Sequence, residues 1–367
     1  MHSDRTSADR AQPVSLAVVG AGWRARFILR VAAALPERFR IAGLVVRDAA
    51  AAERMSAEWG APAFATLDAL LAHRRPDFLV LSVPRAAAPE LIADAVRRDL
   101  PVLTETPPAD SLDDLTALFR TVGGEAPVQV AEQYHLQPLI AAQLGIARSG
   151  VLGEVRECRV SISHGYHAAS VMRRMLGVGF EDAVIAASRF DAPLVGGPGR
   201  GGDPEREELL TAELTLAHVD FGGRLGVYDW APQQNRSWIR GTRLLVRGER
   251  GEIDGLDVRY LQDARTPMEY RIRRVEAGQF TNLEGHFLRG LTGGGEWLYR
   301  NPFAPAPLID DEIAVAHCLA RMAEYVRGGD GWYGLAEAAQ DHYLGMAVAR
   351  AAESGERVRT TRQAWAA

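Results

Sequence analysis

Residues 14–35 have the pattern of a strand, a glycine turn and a helix, and no other part of the chain restricts the fold as strongly. The segment is VSLAVVGAGWRARFILRVAAAL, in which an apolar run precedes Gly20-Ala21-Gly22 and apolar residues at helical spacing follow. Gly20 permits a tight turn, Gly22 lets a phosphate approach the backbone, and Ala25 keeps the helix close to the strand. Free N–H groups at a helix start favour an anion. This context predicts a dinucleotide site, and the alternative is a glycine turn in another α/β fold.

Strand and helix patterns alternate up to residue 131, which predicts a parallel sheet. The apolar segment FRIAGLVV is followed by an alanine-rich helix pattern that ends at Gly60, and further apolar strands cover Phe78–Ser82 and Val102–Thr104. Apolar strands without alternation are typical of a sheet covered by helices on both faces. We predict a Rossmann dinucleotide-binding domain over residues 14–131, in which the loops SVPR and TETPP line the crevice. The residues expected to contact the cofactor are Gly20, Gly22, Trp23, Arg24, Arg47, Ser82, Pro84, Arg85, Glu105 and Gln133.

The end of the second strand bears on the choice of cofactor. A dinucleotide site usually has an acid there, about twenty residues beyond the glycines, to bind the adenosine ribose. Val46 and Arg47 occupy that region, and Asp48 follows them. If Val46 ends the strand, Arg47 can pair with a 2′-phosphate, which favours NADP. If Asp48 turns inward instead, it binds the ribose of NAD. The cofactor is expected to be NADP or NAD, with a slight preference for NADP.

The length and charge restrict the size class and the kinds of partner. A chain of 367 residues has room for two domains with separate cores. The formal net charge of −5 provides no basic excess for nucleic acid or anionic lipid. Cys158 and Cys318 lie far apart, so we expect neither a disulfide framework nor a metal site.

The N-terminal segment and the apolar runs bear on location. Residues 1–13 are polar and lack the apolar core of a signal peptide. No apolar run approaches the roughly 18 residues that a membrane span needs. We therefore expect a disordered N-terminus over residues 1–13 and a soluble, cytoplasmic protein that binds a small molecule and neither nucleic acid nor membrane.

The part from residue 132 to residue 367 has a different pattern, with strand-like segments and then two helical ones. The alternation of Leu214, Leu216 and His218 with polar residues indicates a sheet with one face toward helices. The glycine-rich LVGGPGRGGDPEREE is a loop or hairpin turn, because no helix pattern follows it. The segments LIDDEIAVAHCLARMAEYVRGG and GLAEAAQDHYLGMAVARAAESG have helical periodicity and should pack back on the body of the protein.

Four segments spread over nearly the whole chain carry a family resemblance. They are VVGAGWRAR, LVLSVPRAAAPELIADAVRRDLPVLTETPPA, QPLIAAQLGIARSGVLGEVREC and RAAESGERV. With them the chain resembles the glucose-fructose oxidoreductase / inositol dehydrogenase / MocA (Gfo/Idh/MocA) family of NAD(P)-dependent oxidoreductases.

The resemblance implies an α/β protein with an N-terminal Rossmann domain and a C-terminal α+β domain. The second domain is built on a large, mostly antiparallel open sheet and serves substrate binding and oligomerisation. The nicotinamide would face a pocket in that domain. Members mostly oxidise or reduce sugars, polyols and related carbonyls, and some reduce imines. The resemblance also implies a homodimer or homotetramer.

The chain departs from the family pattern at three places. Members typically have Glu-Lys-Pro, with a lysine that polarises the reacting oxygen, where this chain has Glu105-Thr106-Pro107. They have an asparagine where this chain has Arg85, and a histidine three residues later where this chain has Ala88. They also have aspartates on either side of the histidine that aligns with His167, whereas Ser163 and Ser170 stand there in this chain.

The segment SISHGYHAAS contains candidates for the proton-transfer role that the missing lysine would have. Hydride transfer to a carbonyl or imine carbon needs a group that handles a proton near neutral pH, which histidine does without special tuning. His167 is our candidate acid/base, with Tyr166 or His164 as substrate ligand or backup. The alternative is structural, with one histidine capping the helix and the other packing against the sheet. Glu105, by family position, would accept a hydrogen bond from the nicotinamide ribose.

Other residues are weaker candidates. Gln133 and Tyr134 lie where the chain crosses into the second domain and are plausible pocket residues. Arg173 and Arg174 either bind an anionic substrate group or are solvated. Two functions remain open: an NAD(P)-dependent oxidoreductase acting on a sugar-like or other small carbonyl or imine, and a cofactor-binding protein without net dehydrogenase activity, such as a sensor or an enzyme of NAD-assisted elimination or hydrolysis.

Overall fold

A computed structural model describes residues 12–280 and 283–366 of the chain. The predicted disorder of residues 1–13 concerns mainly residues 1–11, which lie outside the described residues. Within the described ranges no helix has the length and hydropathy needed to cross a membrane.

The first domain contains a six-stranded sheet in the order β3-β2-β1-β4-β5-β6, and all its neighbouring strands are parallel. Every residue of β1 and β4 is buried, as expected for strands covered on both faces. The strands are β1 (Val14–Val19), β2 (Phe39–Val45), β3 (Ala63–Phe64), β4 (Phe78–Leu81), β5 (Val102–Thr104) and β6 (Val128–Val130). The helices are α1 (Trp23–Ala33), α2 (Ala49–Trp59), α3 (Leu67–His73), α4 (Ala88–Arg97) and α5 (Leu112–Val122). The predicted Rossmann topology is confirmed.

The rest of the chain forms a nine-stranded sheet in the order β14-β13-β12-β11-β7-β10-β9-β8-β18 and a three-stranded sheet in the order β15-β16-β17. The elements up to the second sheet are α6 (Pro138–Arg148), β7 (Val155–Ser161), α7 (Gly165–Leu176), β8 (Val184–Val195), β9 (Leu209–Asp220), β10 (Leu225–Trp230), β11 (Arg243–Gly248), β12 (Gly251–Asp254), β13 (Asp257–Asp263) and β14 (Thr266–Arg271). They are followed by β15 (Arg273–Glu276), β16 (Leu288–Gly293), β17 (Glu296–Arg300), α8 (Asp310–Tyr325), α9 (Leu335–Ser354) and β18 (Val358–Arg359). In the large sheet only β7 and β10 pair in parallel, so the expected mostly antiparallel open sheet is confirmed.

The two C-terminal helices return to different parts of the molecule. Ile313, Leu319 and Met322 of α8 share a buried cluster with β1 and α1 of the Rossmann domain. Helix α9 packs against α7 and β8 of the second domain. The loop before α9 also joins the two domains, because Val130 N donates a hydrogen bond to Tyr333 O at 2.8 Å. These contacts hold the end of β6 and the start of α7 next to each other.

The alternation in β9 is real, but its leucines do not face the helices. Ala217 and Val219 lie in the core with α7 and α9, whereas Leu216 and His218 are exposed on the opposite face. A strand with apolar residues on both faces gives no sequence signal for which face is inward.

Candidate cofactor site and histidine cluster

The glycine turn between β1 and α1 depends on Gly20. Its φ of +121° favours glycine, and a Cβ added there would lie 2.0 Å from the carbonyl oxygen of Ser82. Ser82 follows β4, and its N–H donates to Val19 O at 2.9 Å. The two predicted cofactor residues Gly20 and Ser82 are therefore in contact, because the turns after β1 and β4 meet at the same edge of the sheet.

The start of α1 is open toward a phosphate. Gly22 is the N-cap residue, no side chain caps the helix, and the first turn contains no acidic residue. A Cβ added at Gly22 would meet nothing within 4 Å among the described residues. The backbone N–H groups of this turn are thus available to an anion, as a dinucleotide diphosphate requires.

Two arginines flank this turn. The side chain of Trp23 is half exposed, and the guanidinium carbon of Arg200, from the loop between β8 and β9, lies 3.9 Å from the centroid of its ring. Arg24 Nε lies 2.8 Å from Glu105 Oε1. Burial opposes the charge of Arg24, but the Glu105 carboxylate holds the pKa of Arg24 above its ordinary value. Glu105, after β5, is thereby held against the glycine turn.

The loops after β2 and β4 carry further predicted cofactor residues, and these are exposed to solvent. Arg47 and Asp48 are exposed after β2, and Asp48 Oδ1 accepts a hydrogen bond from Ala51 N at 2.7 Å as the N-cap of α2. Pro84 and Arg85 are exposed, and Arg85 lies 3.8 Å from Asp110. No hydrogen bond joins these four residues to Gly20 or Gly22 within the described part of the chain. If Asp48 turned inward to bind a ribose, as one alternative requires, it would lose this capping hydrogen bond.

Gln133 is a predicted cofactor residue whose side chain has a buried hydrogen-bond acceptor without a described donor. Its side chain is buried, and its Oε1 atom has no hydrogen-bond partner among the described residues. Burying an acceptor without a donor costs free energy. Such an acceptor therefore usually forms a hydrogen bond with a ligand or a water molecule. Together with the open turn at Gly22, this acceptor fits a bound dinucleotide with hydroxyl groups.

The histidine cluster lies where α7 begins, directly across from the end of β5. The ring centroid of His167 is 4.3 Å from that of Tyr166 and 5.1 Å from that of His164. The hydroxyl of Tyr166 donates a hydrogen bond to Thr106 O at 3.4 Å. The corner Glu105-Thr106-Pro107 and the segment HGYH therefore contact each other, although 60 residues separate Thr106 and Tyr166. His164 occupies the N-cap position of α7 but makes no capping hydrogen bond, so the capping alternative is wrong.

His167 is paired with a carboxylate that the sequence reasoning did not assign. Its Nδ1 atom lies 2.6 Å from Glu132 Oε2, and both side chains are buried. Glu132 Oε1 accepts a hydrogen bond from Tyr134 N at 3.0 Å, which orients the carboxylate. With Nδ1–H donating to Glu132, Nε2 is the atom left for proton transfer. The signal for Glu132 was an acid directly after the apolar strand β6, in the stretch VQVAEQY.

The neighbours of His167 differ in their proton chemistry. Burial, then the charges of His167 and Arg85, lower the pKa of His164 to about 4, so this imidazole is neutral at physiological pH. Burial raises the pKa of Tyr166, so its hydroxyl stays protonated and can donate. At neutral pH His164 is therefore a poor proton donor, and Tyr166 can donate a hydrogen bond but does not ionise.

Some residues noted in the sequence lie outside this cluster. Arg173 is buried and binds Asp341 Oδ1 at 2.7 Å and Glu337 Oε2 at 3.1 Å, so it is neither solvated nor free for a substrate. Tyr134 contacts the cluster, with its ring centroid 4.4 Å from that of His167. His342, which was not predicted, packs its ring edge against Tyr166 at 5.6 Å.

Residues 14–132 match the family model described as oxidoreductase family, NAD-binding Rossmann fold (GFO_IDH_MocA). Among curated proteins, no sequence matches the chain.

Solved structures resemble it over almost its full length. An oxidoreductase from Agrobacterium radiobacter, in complex with NAD+, L-tartaric acid and magnesium, is 18% identical with a TM-score of 0.65, and the match covers 94% of this chain and 98% of that one. A myo-inositol dehydrogenase from Corynebacterium glutamicum is 17% identical, with a TM-score of 0.65 and coverage of 95% and 99%. A levoglucosan dehydrogenase in complex with NADH and levoglucosan is 13% identical, with a TM-score of 0.68 and coverage of 95% and 99%. At these identities the likeness shows a shared fold.

The parallel sheet, the open glycine turn and the family model agree that residues 14–132 match the NAD-binding Rossmann domain of the Gfo/Idh/MocA oxidoreductase family.

Proposed function

We propose that the protein is an NAD(P)-dependent oxidoreductase that reduces or oxidises a sugar-like or other small carbonyl compound, or an imine, with His167 as its acid/base. The buried pair of His167 and Glu132, 2.6 Å apart beside the Thr106 corner, is the observation that carries the proposal. A histidine held by a carboxylate has a defined tautomer and orientation, which is the arrangement that proton transfer needs.

The proposed roles follow from the groups that each side chain presents. A nicotinamide cofactor, when bound, would supply or accept the hydride. In the reducing direction, Nε2 of protonated His167 gives its proton to the substrate oxygen or nitrogen as the carbon becomes saturated. In the oxidising direction, Nε2 takes that proton. Glu132 stabilises the imidazolium through Nδ1–H. When substrate binds, the Tyr166 hydroxyl would turn from Thr106 O and donate its hydrogen bond to the reacting heteroatom in place of the family lysine.

On the first domain, Gly20 and Gly22 would hold the diphosphate at the start of α1, and Gln133 Oε1 would accept a hydrogen bond from a ribose hydroxyl. The exposed Arg47 and the capping role of Asp48 favour NADP over NAD as the preferred cofactor. Glu105, tied to Arg24, would position the nicotinamide half.

The test is turnover by the purified full-length protein. NADH and NADPH are each offered with a panel of ketosugars and cyclic imines, and oxidation of the cofactor is followed by its absorbance. We expect saturable consumption with at least one substrate class and a lower KM for NADPH. Tight binding of either nucleotide without turnover in both directions would contradict the proposal and would support a cofactor-binding protein without net redox activity.

A His167→Gln variant tests the role of the histidine. We expect kcat to fall by ~10²–10⁴-fold because the positioned proton donor is lost. The dissociation constant of the cofactor should change little, since His167 belongs to the second domain. His218→Gln, at an exposed histidine of β9, is the matched control and should keep its activity. Undiminished kcat in His167→Gln would remove the assignment.

A further inference from the structure

A second cleft lies at the end of α7 opposite the histidine cluster. It has a volume of about 740 Å³ and lies among the C-terminal ends of α6 and α7, the loop before β6 and the loop before α9. Arg148, Arg174, Trp332 and Tyr333 are part of its lining. None of the predicted cofactor or catalytic residues lines this cleft.

Two of its cations have no anionic partner among the residues that the structure describes. Neither Arg148 nor Arg174 forms an ion pair or a hydrogen bond through its side chain within residues 12–280 and 283–366. The guanidinium carbon of Arg174 lies 5.2 Å from the ring centroid of Tyr333. Partial desolvation, and then the charge of Arg174, lower the pKa of Arg148, as expected for two like charges that share one space.

The acids around the cleft are engaged elsewhere or stay apart from these cations. Glu337 and Asp341 bind Arg173, and Asp341 also accepts a hydrogen bond from the Tyr333 hydroxyl at 2.6 Å. Glu125 lies in the exposed part of the lining and pairs with neither arginine in the described structure. Basic residues at helix C-termini offset the helix dipole, and this explains why arginines stand in the last turns of α6 and α7. It does not explain why both line one cleft while neither pairs with a carboxylate in the described structure.

Two buried polar atoms near these arginines also lack partners. Trp332 lines the cleft, and its Nε1–H has no acceptor among the described residues. His135 packs against Tyr333 with ring centroids 6.0 Å apart, and its buried Nδ1 atom is likewise without a partner in the described chain. Buried polar atoms without partners are uncommon in folded proteins and indicate a missing ligand or water.

We propose that this cleft binds a small, doubly charged oxyanion, such as a phosphate monoester or a dicarboxylate, between Arg148 and Arg174. Guanidinium groups match the planar geometry of carboxylate and phosphate oxygens and form charge-assisted hydrogen bonds with them. The site is separate from the glycine turn of the Rossmann domain, so its occupancy does not depend on the proposed function.

The experiment is calorimetric titration of the full-length protein with inorganic phosphate, glucose 6-phosphate and malate, with and without saturating NADH. We expect saturable binding of at least one of these probes that persists when NADH is present and weakens with added salt. Arg174→Gln and Arg148→Gln should each raise the dissociation constant by at least about tenfold, and the double variant should abolish measurable binding. Arg350→Gln, at an exposed arginine of α9 without a described partner, should bind like the wild type.

The opposite results overturn the proposal. Absence of saturable binding for all three probes to the wild type would do so. An equal loss of anion affinity in Arg350→Gln would show that the net charge of the protein alone is responsible for the binding. Competition by NADH, with unchanged affinity in the Arg148 and Arg174 variants, would place the anion at the glycine turn instead.

Discussion

Burial lowers the pKa of several histidines of this protein, among them His164 and His317. For His164, burial and the charges of His167 and Arg85 lower the pKa to about 4. For His317, burial and the charges of Arg321 and Arg38 lower the pKa to about 4. Both imidazoles are neutral at physiological pH, so neither can deliver a proton there.

A His317→Gln variant should weaken the acid sensitivity of the fold. An unfolded histidine titrates near pH 6.5, so between about pH 6.5 and 4 the unfolded chain binds more protons than the folded chain. Stability contributed by neutral His317, whose Nε2 lies 2.9 Å from the Tyr299 hydroxyl oxygen, is therefore present above this window and falls as the pH falls through it. The loss of Tm between pH 7 and pH 5 should be smaller in the variant by ~2–4 °C, measured by calorimetry. Parallel Tm curves for the variant, the wild type and a His218→Gln control would contradict this.

At the scale of elements, the β8–β9 hairpin is the part of the second domain that reaches the glycine turn. The two strands pair over their full 12 residues, and the glycine-rich loop between them carries Arg200 to Trp23. A guanidinium stacked on an indole is attracted to the ring and here lies beside the N-terminus of α1. The hairpin turn expected from the sequence is present, and its tip places a positive charge near the proposed diphosphate position.

An Arg200→Ala variant should bind the nicotinamide nucleotide more weakly. We expect the dissociation constant for NADPH to rise by about threefold to tenfold, because one cation near the diphosphate is lost. Arg206→Ala is the matched control, because Arg206 is an exposed arginine in the same loop and contacts no described aromatic ring. Titration by calorimetry measures both variants. Equal affinities for Arg200→Ala and the wild type would mean that the stacking contact has no part in cofactor binding.

At the scale of the molecule, the large sheet has one face covered by helices and one face open. On the open face Phe190 lies opposite Leu214, and the next pair on that face is Ser188 and Leu216. Phe190 is 61% exposed and Leu216 is 41% exposed, which is unusual for large apolar side chains grouped on one surface. Toward β13 the same face carries ion pairs in place of apolar residues, among them those that Glu252 forms with Arg247 and Arg259. We propose that the apolar half of this face is where a second copy of the chain binds.

Leu216→Lys should therefore lower the oligomeric state. A charge in the centre of an apolar interface is costly to bury, so the mass in solution should shift from dimer or tetramer toward monomer. Leu261→Lys, at a leucine that is also 41% exposed but lies on β13 beyond the ion pairs, is the control and should keep the wild-type mass. Sedimentation velocity measures both variants. A wild-type protein that is monomeric at micromolar concentration would contradict the proposal.

The sequence alone determined the local elements and the topology of the first domain. Apolar strands, glycines at fixed spacing and helical periodicity are short-range signals, and they were sufficient for the parallel sheet, the turn at Gly20 and the helix that follows it. The family pattern added the antiparallel second sheet and the position of His167. Each of these inferences rests on residues close together in the chain or on a pattern read directly from it.

Tertiary structure alone decided the partners of those residues. Glu132 meets His167, Arg24 meets Glu105 and Arg200 meets Trp23 across separations in the chain that no local pattern encodes. The inward face of β9 was likewise undecided by the sequence, because a strand with apolar residues on both faces fits either orientation until its helices and its neighbours are in place. Such contacts form only when separate elements pack together, and in this protein they position the groups from which function is inferred.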